Sequence, residues 1–204
     1  DIFNSKLWKY LAFKWWTASY FLYWLDRFST DLDFDLLENY NNIDEDIVEI
    51  LQKYWKVKKG NDIILSYWEY DINIKVDINR YIWENNTYEI VNFYGTHIKV
   101  QDKSTIFANK LVSFLERNAN RDIYDIYFFL KNTVDINEKV IIEITWKTYK
   151  EVLVEINNKL KKLPKNYKIL DWLWEVLNQE QKTFVKNNLI EELINIIDLK
   201  IDFD

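Results

Sequence analysis

The sequence predicts an α+β protein whose first half mixes strands with helices and whose second half is helical. Residues 31–37, "DLDFDLL", alternate aspartate with apolar side chains, which is the period of a half-buried strand. Between residues 62 and 100 the chain is rich in β-branched and aromatic residues separated by Asn, Asp and glycine, as in successive strands. From Ser104 onward the apolar residues recur at helical spacing. We therefore expect an α/β domain over residues 1–100 and a helical domain over residues 101–204.

The helices follow from local spacing and from their start signals. Four stretches have the apolar content or spacing of helices: 17–26, 44–57, 104–117 and 121–132. Two pairs of residues have the spacing of a capping box, which satisfies the free amides at a helix start: Asp135 with Glu138, and Thr148 with Glu151. Beyond them the sequence predicts further amphipathic helices, with a break at Pro164.

Composition excludes several classes of function. With 49% hydrophobic and 29% charged residues, the 204-residue chain is expected to bury a core. Its net charge of −6 argues against non-specific nucleic-acid binding but leaves room for a local basic patch. It has no cysteine, which excludes disulfides and thiol chemistry, and its single histidine, His97, argues against a histidine triad. No apolar run approaches the roughly 20 residues that span a bilayer, so we expect a soluble cytoplasmic protein.

Alternating aspartates carry the clearest chemical signal. On a strand, Asp31 and Asp33 would point to the same side and could share a divalent cation, and Asp35 continues that register. A second strand, "IKVDINR", offers Asp77 between apolar neighbours. Carboxylates on adjacent strands are what a two-metal phosphoryl-transfer site requires, because the metals neutralise phosphate charge. The alternative is that these aspartates only form the solvent face of edge strands.

Two longer stretches carry a family resemblance. The first, "FKWWTASYFLYWLDRFSTDLDFDLL" at 13–37, is similar to a pattern of F-K-G-G-T, a short helix with Tyr-Gly, and R-x-S-x-D-L-D-F. The second, "IFANKLVSFLERNANRDIYDIYFFL" at 106–130, has a lysine followed by R-D-x-x-D. Over roughly residues 8–130 the chain thus resembles the AbiEii/AbiGii toxins of type IV toxin–antitoxin, or abortive infection, systems. The matching positions of the first motif are Phe13, Lys14, Thr17, Tyr23, Arg27, Ser29, Asp31, Leu32, Asp33 and Phe34.

The resemblance implies both a fold and an activity. The fold is a polymerase-β-like nucleotidyltransferase domain, a small mixed sheet with flanking helices, followed by an all-helical part that completes the active site. The implied enzyme uses Mg²⁺ to transfer a nucleotide from an NTP to RNA, with tRNA as the expected acceptor, and a cognate antitoxin opposes it. The outcome would be growth arrest or phage defence. A helical segment is also implied before the first motif, with residues 1–10 as its end.

The resemblance assigns catalysis to six residues: Asp31, Asp33, Asp77, Lys110, Asp122 and Asp125. The first three would bind a pair of Mg²⁺ ions, with Asp77 near the attacking hydroxyl. Lys110 would contact the phosphates, and either Asp122 or Asp125 would complete the site. The alternatives are that Lys110 is a solvated helix lysine and that Asp125 pairs with Arg121 one turn away.

In this family a glycine pair joins a strand to a helix, and its bare amides hold the nucleotide phosphates at the helix start. Here Trp15 and Trp16 occupy the glycine positions, and Trp24 occupies that of the later glycine. Nucleotide binding is assigned to Lys14, Trp15, Trp16, Thr17, Ser29 and Lys110. Ser29, with Arg27, would also organise the turn into the metal-binding strand.

The chain has 2 glycines and 10 tryptophans, whereas average usage would give about 14 glycines. Several tryptophans stand where glycine would be natural: Trp15, Trp16, Trp24, Trp146, Trp172 and Trp174, and less clearly Trp8, Trp55 and Trp68. One hypothesis is that UGA codons meaning glycine in the source organism are translated here as tryptophan. The other is a decayed, inactive relative whose plugged pocket leaves only an interaction protein. Two alternative activities also stand, nucleotidyl transfer to a small molecule and to a protein.

A basic run, "KLKKLPKNYK" at 159–168, offers a contact for an RNA backbone. The alternative is a solvated helix end, which is common for such runs.

Overall fold

The computed structural model describes residues 1–29, 31–60, 62–67 and 72–203. Within these ranges the chain forms a seven-stranded mixed sheet and eight α-helices, which confirms the α+β class. The chain divides into two compact units, Asp1–Asp102 and Lys103–Asp204. Compactness does not test independent folding, so the two expected domains stay a prediction. Trp68 and the end of the strand expected at "DIILSYWEYD" lie outside the described residues.

The first unit holds the whole sheet. Its strands are β1 (Leu11–Phe13), β2 (Leu32–Leu36), β3 (Lys56–Lys59), β4 (Ile63–Tyr67), β5 (Ile72–Asn79), β6 (Tyr88–Phe93) and β7 (Thr96–Gln101). They are ordered β3-β4-β5-β2-β1-β7-β6. The β2–β5 and β1–β7 pairs are parallel and the others are antiparallel. Two short 3₁₀ helices, Ile2–Asn4 and Lys6–Lys9, precede β1.

The sheet has one apolar and one polar face, because side chains alternate along each strand. Phe34 of β2 lies opposite Phe13 of β1 and Ile78 of β5, and all three are buried. One residue along, Asp33 lies opposite Asp77 on the other face. The central strands are thus amphipathic across the sheet, and the carboxylates lie on the polar face.

The helix expected over 44–57 is shorter than the spacing suggested. Helix α2 (Ile43–Leu51) follows helix α1 (Trp15–Leu22) and buries Ile43, Ile47, Ile50 and Leu51 toward the sheet. It ends at Leu51, and the chain then forms β3, so the prediction of a helix to residue 57 is wrong. Val57 pairs with Leu65 of β4, and this distant partner overrides the local helical spacing.

The second unit is entirely helical in its described part. Its α-helices are α3 (Lys103–Arg117), α4 (Asn120–Lys131), α5 (Glu138–Thr145), α6 (Tyr149–Lys161), α7 (Gln179–Asn187) and α8 (Leu189–Phe203). A 3₁₀ turn, Trp174–Val176, precedes α7. The expected helices 104–117 and 121–132 are confirmed. Stacked rings of Phe107 and Phe129, 5.2 Å apart, join α3 to α4 in the core.

Only one of the two expected capping boxes forms. Thr148 and Glu151 satisfy each other's backbone amides at the start of α6. Helix α5 instead begins at Glu138 after Asn137, so the box expected at Asp135 is wrong. Asn137 uses its side-chain amide to donate to Thr105 at 2.9 Å, and its side chain makes no capping hydrogen bond to α5.

Left-handed backbone is unusually frequent at tryptophan. Seven described non-glycine residues have positive φ, and four are tryptophans: Trp15 (57°), Trp24 (61°), Trp146 (58°) and Trp172 (65°). The Trp24, Trp146 and Trp172 side chains are 85%, 90% and 81% exposed. Left-handed geometry costs an L-residue roughly 1–2 kcal/mol, whereas glycine adopts it freely. These indoles therefore gain little burial to offset the backbone cost.

Candidate functional site

The carboxylates expected to bind metal share one face of the sheet. Asp33 of β2 and Asp77 of β5 are directly opposed in a parallel register. Asp31 lies one residue before β2 and two residues before Asp33, so its side chain is expected on the same face of the sheet as that of Asp33. Asp77 is the most open, with a 60% exposed side chain. The first unit thus brings these three predicted residues to one face.

A lysine that the sequence did not point to lies among these carboxylates. Lys75 precedes Asp77 by two residues on β5, with its Nζ 3.9 Å from Asp77 Oδ2 and 3.1 Å from Asp62 Oδ1. The hydrogen bond to Asp62 raises the pKa of Lys75, burial opposes this rise, and the charges of Asp77 and Asp31 raise the pKa further. Lys75 therefore stays protonated and acts as an internal counter-ion.

The donor set suits Mg²⁺ with phosphate completing its coordination. Among the described residues, no three Asp, Glu, His or Cys groups converge tightly enough to enclose an ion. Mg²⁺ is commonly held by one or two carboxylates together with substrate phosphates, and does not need an all-protein cage. The opposed pair Asp33 and Asp77 supplies that number of hard oxygen ligands. These two residues could hold a divalent ion together with the phosphates of a nucleotide.

Asp35, the third aspartate of β2, is fully buried in a polar network. Lys14 Nζ and Asn79 Nδ2 each lie 2.9 Å from its Oδ1. Tyr88 Oη donates to its Oδ2 at 2.9 Å, and Gln101 Nε2 lies 3.4 Å from the same oxygen. One carboxylate therefore ties β2 to the residue after β1, to β5, and to the β6–β7 hairpin.

The network has consequences for two of its members. Burial, and then the Asp35 charge, raise the pKa of the Tyr88 hydroxyl. Lys14 is 8% exposed and directs its ammonium group at Asp35, with Nζ 5.0 Å from the centre of the Trp15 ring. Its backbone amide donates to the Asp33 carbonyl at 2.9 Å. Lys14, the predicted nucleotide-binding residue, thus contacts β2 through both its side chain and its backbone amide.

The strand-to-helix turn places tryptophan where the phosphate-binding amides are expected. Trp15, with φ of 57°, is the first residue of α1. Trp16 is 8% exposed, and the buried Arg27 guanidinium lies 4.1 Å from its ring centre. Thr17 Oγ1 lies 2.8 Å from Ser29 Oγ and also donates to the Asp31 carbonyl. Thr17 and Ser29 therefore join this turn to the start of β2.

The second unit buries all three of its predicted residues. Lys110 of α3 and Asp122 of α4 are fully buried, with Lys110 Nζ 3.6 Å from Asp122 Oδ1. Asp125, one turn further along α4, is fully buried as well. Burial excludes the alternative of a solvated Lys110. Arg117 Nε and Nη2 also bind Asp122 at 2.8 and 2.9 Å in a bidentate pair.

Neither Arg117 nor Tyr88, which binds Asp35, was indicated by the sequence. Arg117 lies five residues before Asp122 across a helix break, a separation that no helical rule flags. Tyr88 reaches Asp35 across 53 residues of sequence. By contrast, the register of Asp35 with Asp33 was visible in "DLDFDLL".

Lysines of the basic run 159–168 are partly used inside the second unit. Lys159 Nζ donates to the Leu115 carbonyl at 2.6 Å and to Asn118 Oδ1 at 3.1 Å. Lys161 lies 2.9 Å from Asp198. These contacts favour a structural role for the run over a contact with RNA.

In the part of the chain that the structure describes, no helix combines the length and the hydropathy that spanning a membrane requires.

Comparisons with known structures identify the fold. A putative nucleotidyltransferase from Helicobacter pylori is 19% identical, with 94% of this chain and 88% of that one covered and a TM-score of 0.54. MenT4, a nucleotidyltransferase toxin from Mycobacterium tuberculosis, is 16% identical over 96% and 76%, with a TM-score of 0.54. An antigenic nucleotidyltransferase-like protein from Paracoccidioides brasiliensis is 14% identical over 79% and 84%, with a TM-score of 0.51. These likenesses establish a nucleotidyltransferase fold.

Comparison with curated proteins found no match. A family model described as "Nucleotidyl transferase AbiEii toxin, Type IV TA system" matches residues 17–192. The match extends well past residue 130, where the sequence motifs ended, and takes in most of the helical unit. Because it spans most of the chain, the protein belongs to the AbiEii family of nucleotidyltransferase toxins.

Proposed function

We propose that this nucleotidyltransferase toxin is Mg²⁺-dependent and transfers a nucleotide from an NTP to RNA, with tRNA as the acceptor. The observation that carries the metal assignment is the opposed pair Asp33 and Asp77 on one face of the sheet. Asp31, Asp33 and Asp77 would hold a pair of metal ions, which supply charge neutralisation at the phosphates when bound. A cytoplasmic location, a cognate antitoxin and a role in phage defence follow from the same proposal.

The chain's own residues have separate tasks in the proposed reaction. The acceptor hydroxyl oxygen forms a bond to the α-phosphorus, and the bond to the pyrophosphate leaving group breaks. Asp77, the most open carboxylate, takes the hydroxyl proton. Lys14, Thr17 and Ser29 shape the turn whose amides face the phosphates. Lys110, Asp122 and Asp125 stay proposed catalytic residues, and all three are fully buried within the helical unit.

Label transfer tests this proposal directly. Each of four α-labelled NTPs would be incubated with total RNA, with Mg²⁺ or with EDTA. The proteins would be the unsubstituted chain, a Trp15→Gly/Trp16→Gly variant, and that variant with Asp33→Ala. We expect Mg²⁺-dependent labelling of RNA that Asp33→Ala abolishes. Label found on protein or on a small molecule, and not on RNA, would show that the acceptor is not RNA. No labelling with any of the proteins would favour an inactive interaction protein.

We also propose that Trp15, Trp24, Trp146 and Trp172 are glycine in the source organism, through recoded UGA codons. Left-handed backbone at all four supports this. Trp16 and Trp174 have weaker structural support, since Trp16 packs on Arg27 and Trp174 starts a 3₁₀ turn. Mass spectrometry of the protein from its source, with the gene's codons, tests the proposal. UGG codons with tryptophan in the native protein would refute it.

A further inference from the structure

We propose that the polar face of the sheet extends from the aspartates into an RNA-binding surface, the lysine face, formed by Lys56, Lys58 and Lys75. This surface would hold the backbone of the acceptor RNA and lead it to Asp77. The inference rests on the proposed RNA acceptor and deepens it, because it assigns the place where the RNA lies.

The strand register puts these lysines on the same side as the aspartates. Lys75 precedes Asp77 by two residues, so both point to the polar face. Ile64 of β4 is opposite Lys75 and opposite Lys58 of β3. Paired residues in a sheet project to the same side, so Lys58 and, two residues earlier, Lys56 point the same way. The lysine face is therefore continuous with the face that carries Asp33.

The charge on β3 is divided between the two faces. Strand β3 reads Lys-Val-Lys-Lys, and all three lysines are exposed. Lys59 projects to the opposite face, where its ammonium group binds Glu45 of α2. Lys75 offsets Asp62 and Asp77 on the polar face, so the added positive charge on this face comes from Lys56 and Lys58, on a chain whose net charge is −6. An RNA phosphodiester backbone is the partner that such a row fits, because lysine contacts phosphate as a point charge.

The dimensions suit a short stretch of RNA. Strands β3, β4, β5 and β2 are consecutive in the sheet. Three inter-strand steps of roughly 4.8 Å place Lys58 about 14 Å from the metal strand. At a rise of about 3.4 Å per phosphate, this distance corresponds to on the order of four nucleotides. Lys75 lies between the two ends and already contacts Asp77.

A matched pair of variants separates this role from a purely structural one. Lys56→Gln/Lys58→Gln removes two charges from the lysine face, and Lys59→Gln removes one from the opposite side of the same strand. Binding of a short fluorescein-labelled single-stranded RNA would be measured by anisotropy over a range of salt concentrations. Each phosphate contact contributes about 0.7 to the slope of log K against log salt. We expect the double variant to reduce the magnitude of this negative slope by about 1.4. Lys59→Gln should leave the slope unchanged.

Three other outcomes would overturn the inference. The first is unchanged RNA binding in the double variant, which would leave transfer to RNA standing if the labelling assay succeeds. The second is aggregation of the double variant with unchanged RNA affinity in its monomeric fraction, which would show that the lysines only protect the sheet edge. The third is absence of RNA binding by the unsubstituted chain, and label transfer then decides separately whether RNA is the acceptor.

Discussion

Replacing left-handed tryptophans by glycine should stabilise the helical unit. Trp146 follows α5 with φ of 58° and ψ of 23°, and its amide donates to the Ile142 carbonyl at 2.9 Å. This is the helix-ending geometry that glycine favours. Trp172 has φ of 65° and lies in a turn of the same unit. Their indoles are 90% and 81% exposed, so their removal sacrifices little burial.

The magnitude follows from two opposing effects. Relief of left-handed strain is worth roughly 1–2 kcal/mol per residue, and the added freedom of glycine in the unfolded chain costs about 0.5–1 kcal/mol. The net gain is about 0.5–1 kcal/mol per site, or about 1–2 kcal/mol for Trp146→Gly/Trp172→Gly together. With a urea m-value of about 2 kcal/mol/M, the midpoint should rise by roughly 0.5–1 M.

Urea unfolding followed by circular dichroism measures this gain, and Trp174→Gly is the matched control. Trp174 is an exposed tryptophan in the same unit, but it starts a right-handed 3₁₀ turn. Lys182 Nζ lies 4.2 Å from its ring centre. Glycine should therefore lower the midpoint at this position. Equal losses of stability in the double variant and in the control would refute the argument from backbone geometry.

Three further predictions concern individual contacts. Asp35→Asn leaves Lys14 buried without its counter-charge, and breaking a buried pair this way costs about 3–5 kcal/mol in the free energy of unfolding, measurable with urea. The pKa of the Tyr88 hydroxyl is raised in the folded protein. The stability that its hydrogen bond contributes is therefore intact below the ordinary tyrosine pKa and is lost as pH rises above about 10. Tyr88→Phe should accordingly flatten the alkaline fall in melting temperature. Thr148→Ala removes a capping box and should cost about 1 kcal/mol; Lys150→Ala on the exposed face of the same helix should cost little. A null effect of Asp35→Asn or Thr148→Ala, or an unchanged alkaline slope, would contradict the corresponding contact.

The local sequence was enough to predict strand β2 and most helices. Alternation in "DLDFDLL" placed Asp31 and Asp33 on one side of a strand, because side-chain direction has a fixed period of two. Helix α3 and helix α4 followed from apolar spacing for the same kind of reason. The family resemblance added the nucleotidyltransferase fold, and the family match confirms it.

Long-range pairing decided what local spacing could not. The segment 52–57 has helical spacing, yet Lys56–Lys59 forms β3 because β4 offers it a hydrogen-bonded partner. Asp35 continues the register of Asp31 and Asp33 in the sequence, yet Tyr88 and Lys14 bind it as a fully buried carboxylate. Only the pairing of β3 with β4 showed that Lys58 and Lys59 project from opposite faces of the sheet.

By itself, then, the sequence determined the period of each element, the composition of the core, and the motif that places the chain among the nucleotidyltransferase toxins. These properties depend on neighbouring residues and on side-chain chemistry. Only the tertiary structure decided which strands pair, which carboxylate is buried and which tryptophans are left-handed. The physical reason is that such properties depend on partners far away in the chain, whose positions no local propensity encodes.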